Sequence, residues 1–145
     1  MGAPQRKRIE EPVRFIVWPI MHELVPWPQV YNEGMALHVI TTRDEFNEKV
    51  VHNSKLVLVD FWAQWCPPCR AMAPTLEALA SDHDEKFDVV KVDVEASQDN
   101  ALLANEHGVQ GIPNMQLYRN GARVDTIIGF VPRTVLEAKL NSLLA

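Results

Sequence analysis

Two cysteines, the only ones in the chain, stand three positions apart at Cys66 and Cys69. The residue pattern changes across them. Before them runs Leu56-Val57-Leu58-Val59-Asp60-Phe61, a short, apolar, β-branched stretch that predicts a buried strand. After them runs Ala71-Met72-Ala73-Pro74-Thr75-Leu76-Glu77-Ala78-Leu79-Ala80, which predicts a helix. The cysteine pair therefore sits where a strand ends and a helix begins. The first turn of a helix has unpaired N–H groups and a partial positive charge, and a sulfur placed there is stabilised as thiolate, the form that attacks disulfides. One helical repeat separates the two sulfurs, so they share a face and can close a small ring. Pro67 and Pro68 suit the first helical positions, where a missing N–H costs nothing. They leave the N–H groups of Cys69 and Arg70 to point at the Cys66 sulfur.

Two other uses of the pair fit less well. Zinc takes three or four ligands, usually from a second Cys-x-x-Cys or a His pair. There is no third cysteine, and His22, His38, His52, His83 and His107 show no ligand spacing. A structural staple across so short a loop stabilises little. Dithiol–disulfide exchange remains. Cys66, at the exposed end of the dipole, is the expected nucleophile, and Cys69, covered by its own helix, the expected resolving thiol. Asp60 is an acid inside an apolar strand, on the face it shares with Leu58. Burial raises a carboxyl pKa and suits it to take a thiol proton near neutrality.

The segment Val59-Asp60-Phe61-Trp62-Ala63-Gln64-Trp65-Cys66-Pro67-Pro68-Cys69-Arg70 resembles the active-site segment of the thioredoxin family, whose usual motif is WCGPC. The resemblance covers about residues 36–145 and implies an α/β thioredoxin fold, a central mixed sheet with helices on both faces. It implies protein-disulfide reduction with no bound cofactor beyond the Cys66–Cys69 pair, an electron donor similar to thioredoxin reductase, and disulfide-containing protein substrates. By resemblance, Asp60 and Lys91 assist the cysteines, and Pro113, in Gly111-Ile112-Pro113, is a cis proline that aligns the substrate chain. Trp65, Gly111, Ile112 and Gly129 match the apolar rim that meets partners, while Trp62 reads mainly as packing beside the site. Pro74 matches a helix kink of the family. Pro67 stands where the family has glycine, Asn114 where it has threonine, and Phe130 is bulkier than the family's residue beside Gly129. Because the dipeptide between the cysteines tunes the potential, a more oxidising oxidoreductase or isomerase is an alternative. A binding module that uses the rim without redox turnover is another.

The rest of the chain supports the same order of elements. Leu37–Ile40 predicts a first strand. Thr42-Arg43-Asp44-Glu45 is a capping box opening a helix to about His52, with Phe46, Val50 and Val51 on one face. Phe87–Val94 predicts a strand, and Asn100–His107 a helix stopped by Gly108. Strands at Met115–Tyr118 and Val124–Ile128 flank an Asn120-Gly121 turn. Pro132 opens a last helix with Val135, Leu136, Leu140, Leu143 and Leu144 as its apolar face. The alternating first half predicts parallel pairs through right-handed crossovers, and the hairpin adds antiparallel strands.

Residues 1–35 fall outside this pattern. They hold five of the ten prolines, which excludes a long helix, yet Phe15, Trp18 and Trp27 make them too apolar for a freely solvated tail. Val13–Trp18 could form an edge strand. The segment either packs as an arm, docks a partner or a second copy through residues 13–31, or precedes an alternative start at Met35. Acidic Glu10 and Glu11 interrupt any signal or transit pattern, so a reducing cytoplasm is the expected compartment. A net charge of −5 argues against nucleic acid as the main partner. No apolar run approaches the roughly 20 residues of a membrane span.

Overall fold

The apolar run at Leu56 becomes the centre of a sheet. The computed structural model describes residues 36–145. In it, β2 (Leu56–Trp62) pairs parallel with β3 (Phe87–Asp93) on one side and antiparallel with β4 (Asn114–Arg119) on the other. β1 (Leu37–Ile40) lies outside β3, parallel to it, and β5 (Ala122–Ile128) lies outside β4, antiparallel. The order is β1-β3-β2-β4-β5, the mixed sheet expected from crossovers followed by a hairpin. β3 is buried along its whole length and β2 along all but Trp62, which is why both read as continuous apolar runs rather than alternating ones.

Helices cover both faces. On one, α2 (Pro67–Asp82) and α4 (Arg133–Leu144) pack Met72, Leu76, Leu136 and Leu140 over Leu58, Val89 and Leu117. On the other, α1 (Arg43–Phe46) and α3 (Gln98–Glu106) cover Val57, Val59, Phe61, Val90 and Val92 with Phe46 and Leu103. The capping box forms as predicted, with Thr42 accepting from the Glu45 N–H and the Glu45 carboxylate reaching back.

Several boundaries differ from the sequence expectation. The first helix does not run as one α-helix to His52. After Phe46 it widens into a π-helical turn, Asn47–Val51, which buries Val50 but leaves Val51 exposed. Phe46 and Val50 are four apart, a spacing that both kinds of turn can bury. α3 starts at Gln98, two residues before the expected Asn100, because Ser97 is its N-cap and accepts from the Asn100 N–H at 3.0 Å. Gly108, at φ +71°, ends it as expected. Both hairpin strands run longer than predicted, up to a turn in which Asn120 and Gly121 both have positive φ. Val135 is exposed and not part of the buried face of α4. The readings of residues 1–35, including an edge strand at Val13–Trp18 and self-association through 13–31, lie outside the described residues.

Candidate redox-active site

β2 delivers its last residues to the N-terminus of α2, and the cysteines sit at that junction. Cys66 is the N-cap of α2, with extended backbone, and its Sγ accepts the Cys69 N–H at 3.3 Å. Pro67 and Pro68 occupy the first two helical positions. Of the two N–H groups expected at the sulfur, only that of Cys69 goes there. The Arg70 N–H donates instead to the Cys66 carbonyl at 3.1 Å, the first regular bond of the helix. Cys66 and Cys69 are joined as a disulfide, with Cα atoms 5.2 Å apart.

The expected contrast in exposure is small, since Cys66 is 3% and Cys69 2% exposed. The difference lies in what each faces. Cys66 lines an apolar groove of about 460 Å³ together with Trp65, Pro67, Val94, Val109 and Ile112, and Cys69 does not. The Ile112 carbonyl oxygen is 3.8 Å from Cys66 Sγ.

The next two residues after Gly111 close the site from the β4 side. The Ile112–Pro113 bond is cis. The Pro113 carbonyl accepts the Gly129 N–H at 2.8 Å, and Gly129 has φ +85°, a conformation that suits glycine. Gly111 and Ile112 thus line the groove with Cys66, and Gly129, sixteen residues after Pro113, is tied to that segment through the Pro113 carbonyl. Trp65 is 62% exposed, and its indole N–H donates to Glu95 Oε1 at 2.9 Å. Phe130, beside Gly129, is exposed as well. Pro74 lies inside α2, outside the groove lining.

Asp60 and Lys91 are opposite one another in the β2–β3 register, and both are buried. Asp60 is 1% exposed, and its Oδ1 has no hydrogen-bond partner. Burial pushes its carboxyl up from the ordinary 3.8 to about 7, with the Lys91 charge opposing part of the rise. The Lys91 ammonium lies 4.5 Å from the centre of the Trp62 ring, a cation–π distance, and Trp62 packs against the cluster of Ala63, Cys66 and Cys69.

Sequence reasoning missed Glu95, Val94, Val109 and Gln110. Glu95 lies just past β3 in a stretch that reads as a solvated turn, and nothing local marks its contact with Trp65. Val109 and Gln110 share the groove with Trp65, Cys66, Pro67 and Pro68 only in the folded chain, about forty residues away in sequence. Among the described residues, no group of three or more His, Cys, Asp or Glu side chains is placed to hold a metal ion. None of the described helices is long and apolar enough to cross a membrane.

Comparison with known proteins gives a consistent result. The family model described as Thioredoxin matches residues 37–142. The chain is 42% identical to thioredoxin of Porphyra purpurea over 100 residues, covering 69% of this chain and 91% of that one. It is 37% identical to thioredoxin 1 of Synechococcus elongatus over 107 residues, covering 74% and 97%. Among solved structures, that of Malassezia sympodialis thioredoxin is similar, with a TM-score of 0.66 and 31% identity over 75% of this chain and 91% of that one.

Proposed function

The chain belongs to the thioredoxin family, and on that premise we propose how its own residues carry out the exchange. It is a thiol–disulfide oxidoreductase that reduces protein disulfides, and its redox group is the Cys66–Cys69 pair itself.

In the reduced protein, the Cys66 thiolate attacks one sulfur of a substrate disulfide. A Cys66–substrate disulfide forms, and the other substrate sulfur leaves as thiolate. Cys69 then loses its proton and attacks Cys66 Sγ. The second substrate sulfur leaves, the substrate is a dithiol, and Cys66–Cys69 is a disulfide. Two electrons have passed to the substrate. Asp60 takes the Cys69 proton; its carboxyl, held near 7 by burial, is a competent base at neutral pH. Lys91 keeps the ionised Asp60 from standing alone in the sheet. The substrate chain lies along the groove against Trp65, Gly111, Ile112 and Pro113, with Gly129 on the far rim. A thioredoxin-reductase-like protein restores the dithiol, and the chain works in a reducing cytoplasm, where its pair is returned to the reduced form after each turnover.

One observation carries the assignment of nucleophile. Cys66 Sγ caps α2 and accepts the Cys69 N–H at 3.3 Å, so charge on this sulfur meets a donor and the positive end of a 16-residue helix. Trapping tests it. Cys69→Ser should accumulate a covalent Cys66–substrate adduct, visible on non-reducing gels and lost with thiol, while Cys66→Ser should form none. The opposite pattern would reverse the two roles.

A further inference from the structure

A single side-chain amide holds both ends of the loop that walls the groove. Residues 108–113 connect α3 to β4, and supply Val109, Gln110, Gly111 and Ile112 to the groove lining. The residue before this loop is His107, and the residue after it is Asn114. Gln116 Nε2 donates to the His107 carbonyl at 3.0 Å and to Asn114 Oδ1 at 3.1 Å.

The proton positions around this amide follow from its geometry. Gln116 Oε1, a carbonyl oxygen, can only accept, and the Tyr118 hydroxyl donates to it at 2.7 Å. A hydroxyl has one proton. The Tyr118 oxygen therefore accepts from His107 Nδ1–H, also at 2.7 Å. Arg123 Nη1 is a second donor to the His107 carbonyl, at 3.0 Å. Asn114, Gln116 and Tyr118 alternate along β4, so they share the face that α1 and α3 cover, and all three are buried. An apolar side chain at 116 would fill this space without the desolvation cost of an amide. What the amide adds is a fixed separation between two ends of a loop, in a network that leaves none of its fully buried side-chain atoms without a partner.

We propose that Gln116 is a positioning residue for substrate docking: it sets the loop 108–113 at the distance from Cys66 that a protein chain needs to lie in the groove. This rests on the reading that Gly111, Ile112 and Pro113 dock the substrate. Small disulfides need no groove and are indifferent to it.

The test compares insulin, a protein disulfide, with 5,5′-dithiobis(2-nitrobenzoate), a small one, on the full chain. Gln116→Leu combined with Tyr118→Phe removes two partners together, which spares the fold an orphaned hydroxyl. For this variant the KM for insulin should rise about tenfold, the scale of a loop misplaced by a fraction of an ångström. The small-disulfide rate and the reduction potential should stay at the starting values. Asn114→Thr, which keeps an oxygen for the amide, should retain the insulin KM, and Asn114→Val should raise it. Ile112→Ala serves as the docking control. If it raises the insulin KM and the Gln116 variant does not, the positioning role is overturned alone. If Ile112→Ala has no effect either, the docking reading fails and takes the proposal with it. Equal loss on both substrates would show general damage and would also overturn it.

Discussion

Asp60 is a carboxyl group enclosed by β-sheet, and its titration separates stability from activity. Its folded pKa, about 7, lies above the ordinary 3.8, so the native state holds this proton more tightly than the unfolded chain does. The stability it lends is complete below about pH 3.8 and is lost as pH rises through about 7. At about 1.4 kcal/mol per pKa unit, the loss above neutrality amounts to roughly 4 kcal/mol at most. Asp60→Asn should therefore melt higher than the natural chain at pH 8, and the gap should close toward pH 4, in thermal scans across that range. Activity should move the other way. Resolution of the Cys66–substrate disulfide should accelerate in the natural chain as Asp60 ionises near pH 7, and single-turnover kinetics of Asp60→Asn should be slower above neutrality and flatter with pH. A gap in melting temperature between Asp60→Asn and the natural chain that is no larger at pH 8 than at pH 4 would deny the raised pKa. Asp60 and the cysteines were legible in the sequence because each breaks a local pattern: an acid in an apolar run, two thiols at a change of period. Glu95 and Gln116 were not, since each is an ordinary polar residue whose role arises from a partner that only the tertiary fold supplies. The cis bond at Pro113 was legible through family resemblance alone, because nothing local distinguishes a cis X-Pro bond from a trans one.

At the scale of elements, the junctions carry the information. The Asn120-Gly121 turn is dictated by sequence, and the structure adds a second demand on Gly121. Its φ is +77°, and a Cβ placed there would stand 2.8 Å from the Val51 carbonyl oxygen. The tip of the β4–β5 hairpin thus presses on the end of the π-helical turn, against backbone that cannot swing aside. Gly121→Ala should cost about 1–2 kcal/mol from the positive φ and the close approach together, read as a lower urea midpoint at unchanged slope. Ser97 ties α3 to the start of α1: it caps α3 and donates to the Thr41 carbonyl at 2.6 Å. Ser97→Ala should cost about 1 kcal/mol in the same assay. An unchanged midpoint in either variant would remove that contact from the account. The π-helical turn itself was not legible. Phe46 and Val50 mark a buried face at a spacing that α and π turns both satisfy, and what distinguishes them is backbone pairing, the His52 N–H donating to the Asn47 carbonyl five residues back at 2.9 Å.

For the whole molecule, the order of elements was legible because alternation of strand and helix, a strong turn and two helix caps all favour one sheet. Chain length outside that sheet was not explained by it. The family match spans residues 37–142, and relatives cover 91–97% of their own length over 100–107 residues of this chain. Residues 36–145 should therefore reduce insulin at the rate of the full chain when expressed alone, and a large loss of rate would give residues 1–35 a part in the reaction. Whether this pair works as a reductant of protein disulfides with Pro67 in place of glycine is decided by its reduction potential. Equilibration of Cys66–Cys69 with glutathione, read by thiol alkylation and mass, should give a value near the thioredoxin range of about −270 mV. A value near about −120 mV, the range of a disulfide-forming oxidant such as DsbA, would contradict the reductant role and assign the chain to disulfide formation instead.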